Sequence, residues 1–120
     1  MSTPSHLNSK KLQWVQLISP IDGKAVSITP AAGYKKLFQR RKCFTAYCTN
    51  PIWFVLLSRT GKAASGKCWP CAELRATHNH LTGNRKYESW RLLEKGRLSE
   101  PWEFHQKTLQ FSPVPESELE

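Results

Sequence analysis

Two β-prone runs open the ordered part of the chain, LQWVQLI at 12–18 and KAVSI at 24–28, and between them SPIDG at 19–23 supplies a proline and an Asp-Gly pair. This pattern predicts a β-hairpin. TPAAG at 29–33 breaks it, and YKKLFQRRK at 34–42 leads into the first cysteine. Residues 52–58 (IWFVLLS) read as a buried strand, and 59–67 as a glycine-bearing loop with room for a second short strand. A helix is expected to begin beside Cys68 and Cys71. Pro70 suits a first helical position, residues 72–76 are good helix formers, and Gly83 closes the segment. On that helix Cys71, Leu74, His78 and Leu81 are expected to share one buried apolar face. A second helix is predicted over 86–95, ended by Gly96.

The flanks differ in character. Residues 1–11 are polar and read as a disordered arm, and 112–120 (SPVPESELE) have the composition of a disordered acidic tail. A single domain over 12–111 lies between, small enough to bury roughly two thirds of its unfolded surface. Of the five tryptophans, Trp14, Trp53 and Trp90 are expected in the core and Trp69 over a metal site. Trp102 with Phe104 either docks back on the domain or anchors a protein partner.

Charge changes the picture more than composition does. The formal net charge is +9, and residues 1–97 carry 17 basic against 4 acidic side chains, while 98–120 carry 1 against 5. A basic body of this kind is drawn to polyanions, nucleic acid first among them, through release of condensed counterions. The alternative is an acidic protein partner. The N-terminus carries no apolar signal region and the longest apolar run is too short to span a bilayer. The expected compartment is a reducing cytoplasm, with no membrane association.

All four cysteines fall between 43 and 71, spaced C-x4-C-x19-C-x2-C. Two close pairs at this spacing point to one structural zinc held by Cys43, Cys48, Cys68 and Cys71. Disulfides, a redox C-x-x-C and unrelated core thiols are the other readings. Disulfides rarely persist in the cytoplasm, and a redox pair leaves Cys43 and Cys48 without a role.

The same residues resemble a treble-clef zinc finger, built from a cysteine knuckle, a β-hairpin and a helix whose first turn supplies the last two ligands. Cys43 and Cys48 match the knuckle, 52–67 the hairpin, and Cys68 and Cys71 the helix start, a finger core of 43–82. Within that group the pattern is most similar to GATA-type fingers. TNPIW at 49–53 follows the second cysteine and CWPC at 68–71 opens the helix. The knuckle is C-x4-C rather than C-x2-C, and Phe54 and Val55 stand where that family places arginines. The resemblance implies an α+β domain with a zinc-bound unit followed by helices.

Lys35, Lys36, Arg40, Arg41 and Lys42 form a basic run directly before the knuckle, and Lys62, Lys67 and Arg75 extend it around the finger. These are the expected phosphate contacts, with DNA favoured over RNA and a regulatory role. His78-Asn79-His80 invites comparison with HNH endonucleases, yet 52–67 contains no His, Asp or Glu. On a helix, positions i and i+2 point about 200° apart, so the two histidines cannot share one ion. His78 is expected to pack on the apolar face, with Asn79 and His80 at the surface. No catalytic arrangement stands out, and the metal is expected to shape a surface rather than do chemistry.

Overall fold

The computed structural model describes residues 14–83 and 89–115. Among them lie two helices and seven strands in two sheets. The first sheet is the expected hairpin, β1 (Val15–Ile18) antiparallel to β2 (Ala25–Ile28). Its turn contains Gly23 at φ 71, a left-handed conformation that costs glycine nothing. Val15, Leu17, Val26 and Ile28 point inward, and the residues between them face out. Trp14 continues that outward face and is 60% exposed rather than core.

A short helix, α1 (Lys35–Gln39), follows and ends as Arg41 swings to φ 57 with its amide on Phe38 O. The hairpin β3 (Phe54–Leu57) and β4 (Ala63–Lys67) leads into α2 (Trp69–Leu81). The rest of the described chain is β5 (Trp90–Glu94), β6 (Arg97–His105) and β7 (Gln110–Pro113). The second sheet is antiparallel throughout, in the order β4-β3-β5-β6-β7. The compact single domain is therefore mostly β.

That last stretch corrects the expectation of helices after the finger. Residues 90–94 contain good helix formers, but β3 and β6 flank them and complete their backbone hydrogen bonds. Lys95 at φ 56 and Gly96 at φ 79 form a two-residue hairpin turn of the kind whose twist suits antiparallel strands. Residues 84–88, which include the start of the helix expected over 86–95, lie outside the described residues, as do the arm at 1–11 and the tail from 116. β7 carries the ordered chain through Ser112 and Pro113.

The sheet separates two cores. On one face Val55, Ala63 and Leu93 pack with Phe38, Ile52 and the inner face of β1–β2. On the other, Phe54, Trp90, Leu92 and Phe111 pack with Ala72 and Ala76 of α2. The neighbours Phe54 and Val55 serve opposite faces, as strand alternation requires. Leu92 and Leu93 do the same at a register shift in the β5–β6 pairing.

The buried face of α2 is Ala72, Ala76 and Asn79, not the predicted stripe. Leu74 and Leu81 are 70% and 74% exposed, and His78 is exposed too. The sheet face beneath α2 is already filled by aromatic rings, so the helix approaches through its alanines and its leucines turn to solvent. Asn79, expected at the surface, is buried by the same rotation. None of the described helices is long and apolar enough to cross a membrane.

Candidate metal centre

Three segments converge on the cysteines. Cys43 and Cys48 stand on the loop between α1 and β3. Cys68 is the N-cap of α2, immediately after β4, and Cys71 lies in the first turn of the helix. The long knuckle is fastened to the sheet by its backbone and by Phe44. Phe44 turns inward, its amide donating to Gly66 O at 2.8 Å and its ring meeting Phe38 at 4.6 Å between centroids. The remaining residues close a turn in which Cys48 N donates to Thr45 O at 3.0 Å and Tyr47 adopts φ 66.

All four sulfurs lie within 4.8 Å of one another. The separation of Cys48 Sγ from Cys68 Sγ is 3.8 Å, far beyond a disulfide bond, and all four cysteines are free thiols. A tetrahedral ion with metal–sulfur bonds of about 2.3 Å places its ligands about 3.8 Å apart. The four sulfurs thus lie close enough to hold one metal ion, and the observed separation fits a tetrathiolate.

Electrostatics fit the same conclusion. Burial pushes the Cys43 thiol up, but amide hydrogen bonds from Cys68 and Thr45 and side-chain bonds from the same residues bring it down to about 6. Cys48 receives the Asn50 amide, yet burial and the sulfurs of Cys43 and Cys68 raise it on balance. Burial first of all raises Cys68 and Cys71. One thiolate forms readily and three thiols resist, because burial first, and the neighbouring sulfurs after it, disfavour further negative charge. A divalent cation at the centre reverses that penalty, and the N-terminus of α2 favours the thiolates further.

Two residues the sequence reading passed over organise the cage. Asn50 accepts Cys43 N at 2.9 Å and donates from Nδ2 to Cys68 Sγ at 3.6 Å. Its amide also reaches the Cys48 sulfur. The Thr45 hydroxyl reaches the sulfurs of Cys43 and Cys71 and accepts from Lys67 Nζ at 3.0 Å. A Thr and an Asn each two residues beyond a cysteine are the only signal the sequence carried for them.

The basic residues divide. Lys36, Arg40 and Lys42 are exposed on α1 and the start of the knuckle, and Arg41 is exposed with Nε donating to Gln16 O at 3.0 Å. Lys35 and Lys62, distant in sequence, line one depression of about 270 Å³ with Pro30 and Gly33. Lys67 is turned toward the cage through Thr45. Arg75 stands exposed on α2, across the sheet from α1, and is not brought into the group. Trp69 joins the aromatic cluster, 4.8 Å from Phe54 and 5.7 Å from Trp53, with Nε1 donating to Glu73 at 3.1 Å. Trp102 and Phe104 pack at home as well, Trp102 5.5 Å from Phe54 and Phe104 5.2 Å from Phe111.

No protein-family model, curated protein or solved structure matches the chain.

Proposed function

We propose that the protein is a treble-clef-like, zinc-stabilised nucleic-acid-binding module whose metal has a structural role. Zinc is the ion that suits a closed set of four thiolates, and with every tetrahedral position taken by sulfur no site remains for a reacting water. The finger supports a binding surface of one charge sign.

The observation that carries this reading is the charge of the lobe around the cage. Between Asp22 and Glu73 the chain carries nine basic side chains and no acidic one. Among the described residues, no carboxylate pairs with Lys35, Lys36, Arg40, Lys42 or Lys62. Phe38, fully buried against Ile52 and Gly66, holds α1 to the domain, so these cations form a patch of defined shape. Such a surface suits phosphate backbone contact rather than base reading. Duplex DNA is the proposed ligand.

The test is metal analysis followed by fluorescence anisotropy with a labelled duplex. About one zinc per chain is expected, lost with folding in Cys68→Ser. If about four phosphates are contacted, affinity falls on the order of a hundredfold between about 50 mM and about 200 mM salt. Zinc without salt-dependent duplex binding overturns the nucleic-acid reading. Absence of zinc overturns the finger.

A further inference from the structure

Lys35 opens α1 and Lys62 ends the turn between β3 and β4, and both line one depression of about 270 Å³ whose other walls are Pro30, Ala31, Ala32 and Gly33. Backbone hydrogen bonds bring the two together. Ala31 N donates to Ala63 O at 2.7 Å and Ala63 N to Thr29 O at 2.8 Å, which lays residues 29–31 along the start of β4, directly after Lys62. Tyr34 N then donates to Ala31 O at 3.0 Å across a turn with Gly33 at φ 90, and α1 starts at the next residue. On the other side, Ser58 N donates to Lys62 O at 2.8 Å and holds Lys62 in its turn.

Among the described residues no carboxylate lines the depression or pairs with either lysine. Two like charges bordering one concavity repel, and an anion bound there removes that cost. The remaining described walls are small and uncharged, so the two ammonium groups dominate what a ligand meets. Ala32 and Gly33 are exposed, and a Cβ on Gly33 would meet nothing within 4 Å, so the depression is open to solvent on that side.

We infer that the depression seats a phosphate monoester, the terminal phosphate of a nucleic-acid strand, an inference that rests on the nucleic-acid reading above. Size and charge select this ligand. At about 270 Å³ the depression falls below the range of sites for drug-sized molecules, whereas a phosphate group enters it whole. A terminal monoester carries about −1.5 to −2 charges at neutral pH, which matches two lysines. An internal phosphodiester carries about −1 and is flanked by sugars on both sides. Lys36, exposed on the same helix as Lys35, stands beside the seat for the phosphate that follows.

The test has two arms, both on the full-length protein. Fluorescence anisotropy compares one short, internally labelled duplex with 5′-phosphate, 3′-phosphate or hydroxyl ends. A phosphorylated end is expected to bind about fivefold more tightly than the hydroxyl form, the size of two partly exposed ion pairs. Lys35→Gln, Lys62→Gln and Ala32→Glu, the last setting a carboxylate at the depression, are each expected to bring that ratio below about two. Lys42→Gln, outside the depression, is expected to weaken every duplex and keep the ratio. In the second arm, nuclear magnetic resonance follows the Ala32 and Gly33 amide cross-peaks during titration with inorganic phosphate. Both are expected to shift saturably below about 10 mM, with no such shift in chloride of equal ionic strength. Equal affinity for all three duplexes, with the salt dependence intact, overturns the strand-end seat and leaves the duplex reading standing. Absence of duplex binding, with phosphate still moving both cross-peaks, overturns the nucleic-acid reading and makes a small free phosphate the occupant. Cross-peaks unmoved by phosphate, or a ratio unchanged in folded Lys35→Gln and Lys62→Gln, overturn the seat itself.

Discussion

The carboxylate of Asp22 accepts a hydrogen bond from the backbone amide of Lys95 at 2.7 Å, linking the tip of the first hairpin to the turn between β5 and β6. Its other oxygen accepts Lys24 N at 3.1 Å within its own turn. Beside it, Ser19 Oγ donates to Leu93 O at 2.7 Å in the buried contact between the two hairpins. The small sheet is therefore tied to the large one by polar contacts as well as by packing.

The Asp22 contact makes stability depend on pH. The Lys95 amide, then that of Lys24, holds the Asp22 carboxyl below its ordinary value. A depressed carboxyl adds stability that is present above its unfolded pKa and is lost as pH falls through the lower folded one. Thermal midpoints of the wild type and Asp22→Asn, followed from neutral to acid pH, are expected to differ at neutral pH and converge as acid protonates Asp22. A constant difference over the whole range would remove the contact from the account.

Ser19→Ala leaves Leu93 O without its donor in a buried setting. The expected loss is about 1–3 kcal/mol, read from urea denaturation. The amides of Ile21 and Asp22, which the Ser19 hydroxyl accepts at 3.1 and 3.4 Å, lose their partner in the same variant.

Gly66 of β4 packs directly against Phe38 of α1 and Ile52. A Cβ there would stand 2.8 Å from Ile52 Cδ1 and 2.8 Å from Phe38 Cε1, both in the packed core. Gly66→Ala is expected to destabilise the fold by about 1–3 kcal/mol. Because Gly66 O also anchors the knuckle through Phe44 N, zinc retention in chelator should fall with it.

Asn50 supports the cage without being a ligand. Asn50→Ala keeps four cysteines and removes the Nδ2 contact to Cys68 Sγ. Outer contacts of this kind typically carry a 10–100-fold effect on metal affinity, and about that loss is expected in chelator competition. Circular dichroism of the zinc-loaded variant should match the wild type.

The duplex reading separates α1 from α2. Lys36→Gln and Arg40→Gln are each expected to weaken binding for all sequences alike and to reduce the salt slope by about 1. Arg75→Gln, on the far side of the sheet, is expected to leave the slope unchanged. A reversed result would move the phosphate surface to α2.

Local chemistry made part of this protein legible from its sequence alone. The Asp-Gly turn between β-prone runs specifies β1–β2, Pro70 and Gly83 bracket α2, and the cysteine spacing specifies the cage, because turns, helix ends and metal knuckles depend on residues a few positions apart. The Lys95-Gly96 turn was a signal of the same kind, and it marked β5 and β6 as a hairpin where helix propensity pointed elsewhere. Other features exist only once distant segments meet. Residues 90–94 become a strand because β3 and β6 satisfy their amides. The leucines of α2 face solvent because Phe54, Trp90 and Phe111 already occupy the space beneath it. Asn50, Thr45 and the depression shared by Lys35 and Lys62 acquire meaning only from sulfurs, amides and walls supplied by other elements, since hydrogen-bond satisfaction and packing volume are properties of the assembled fold.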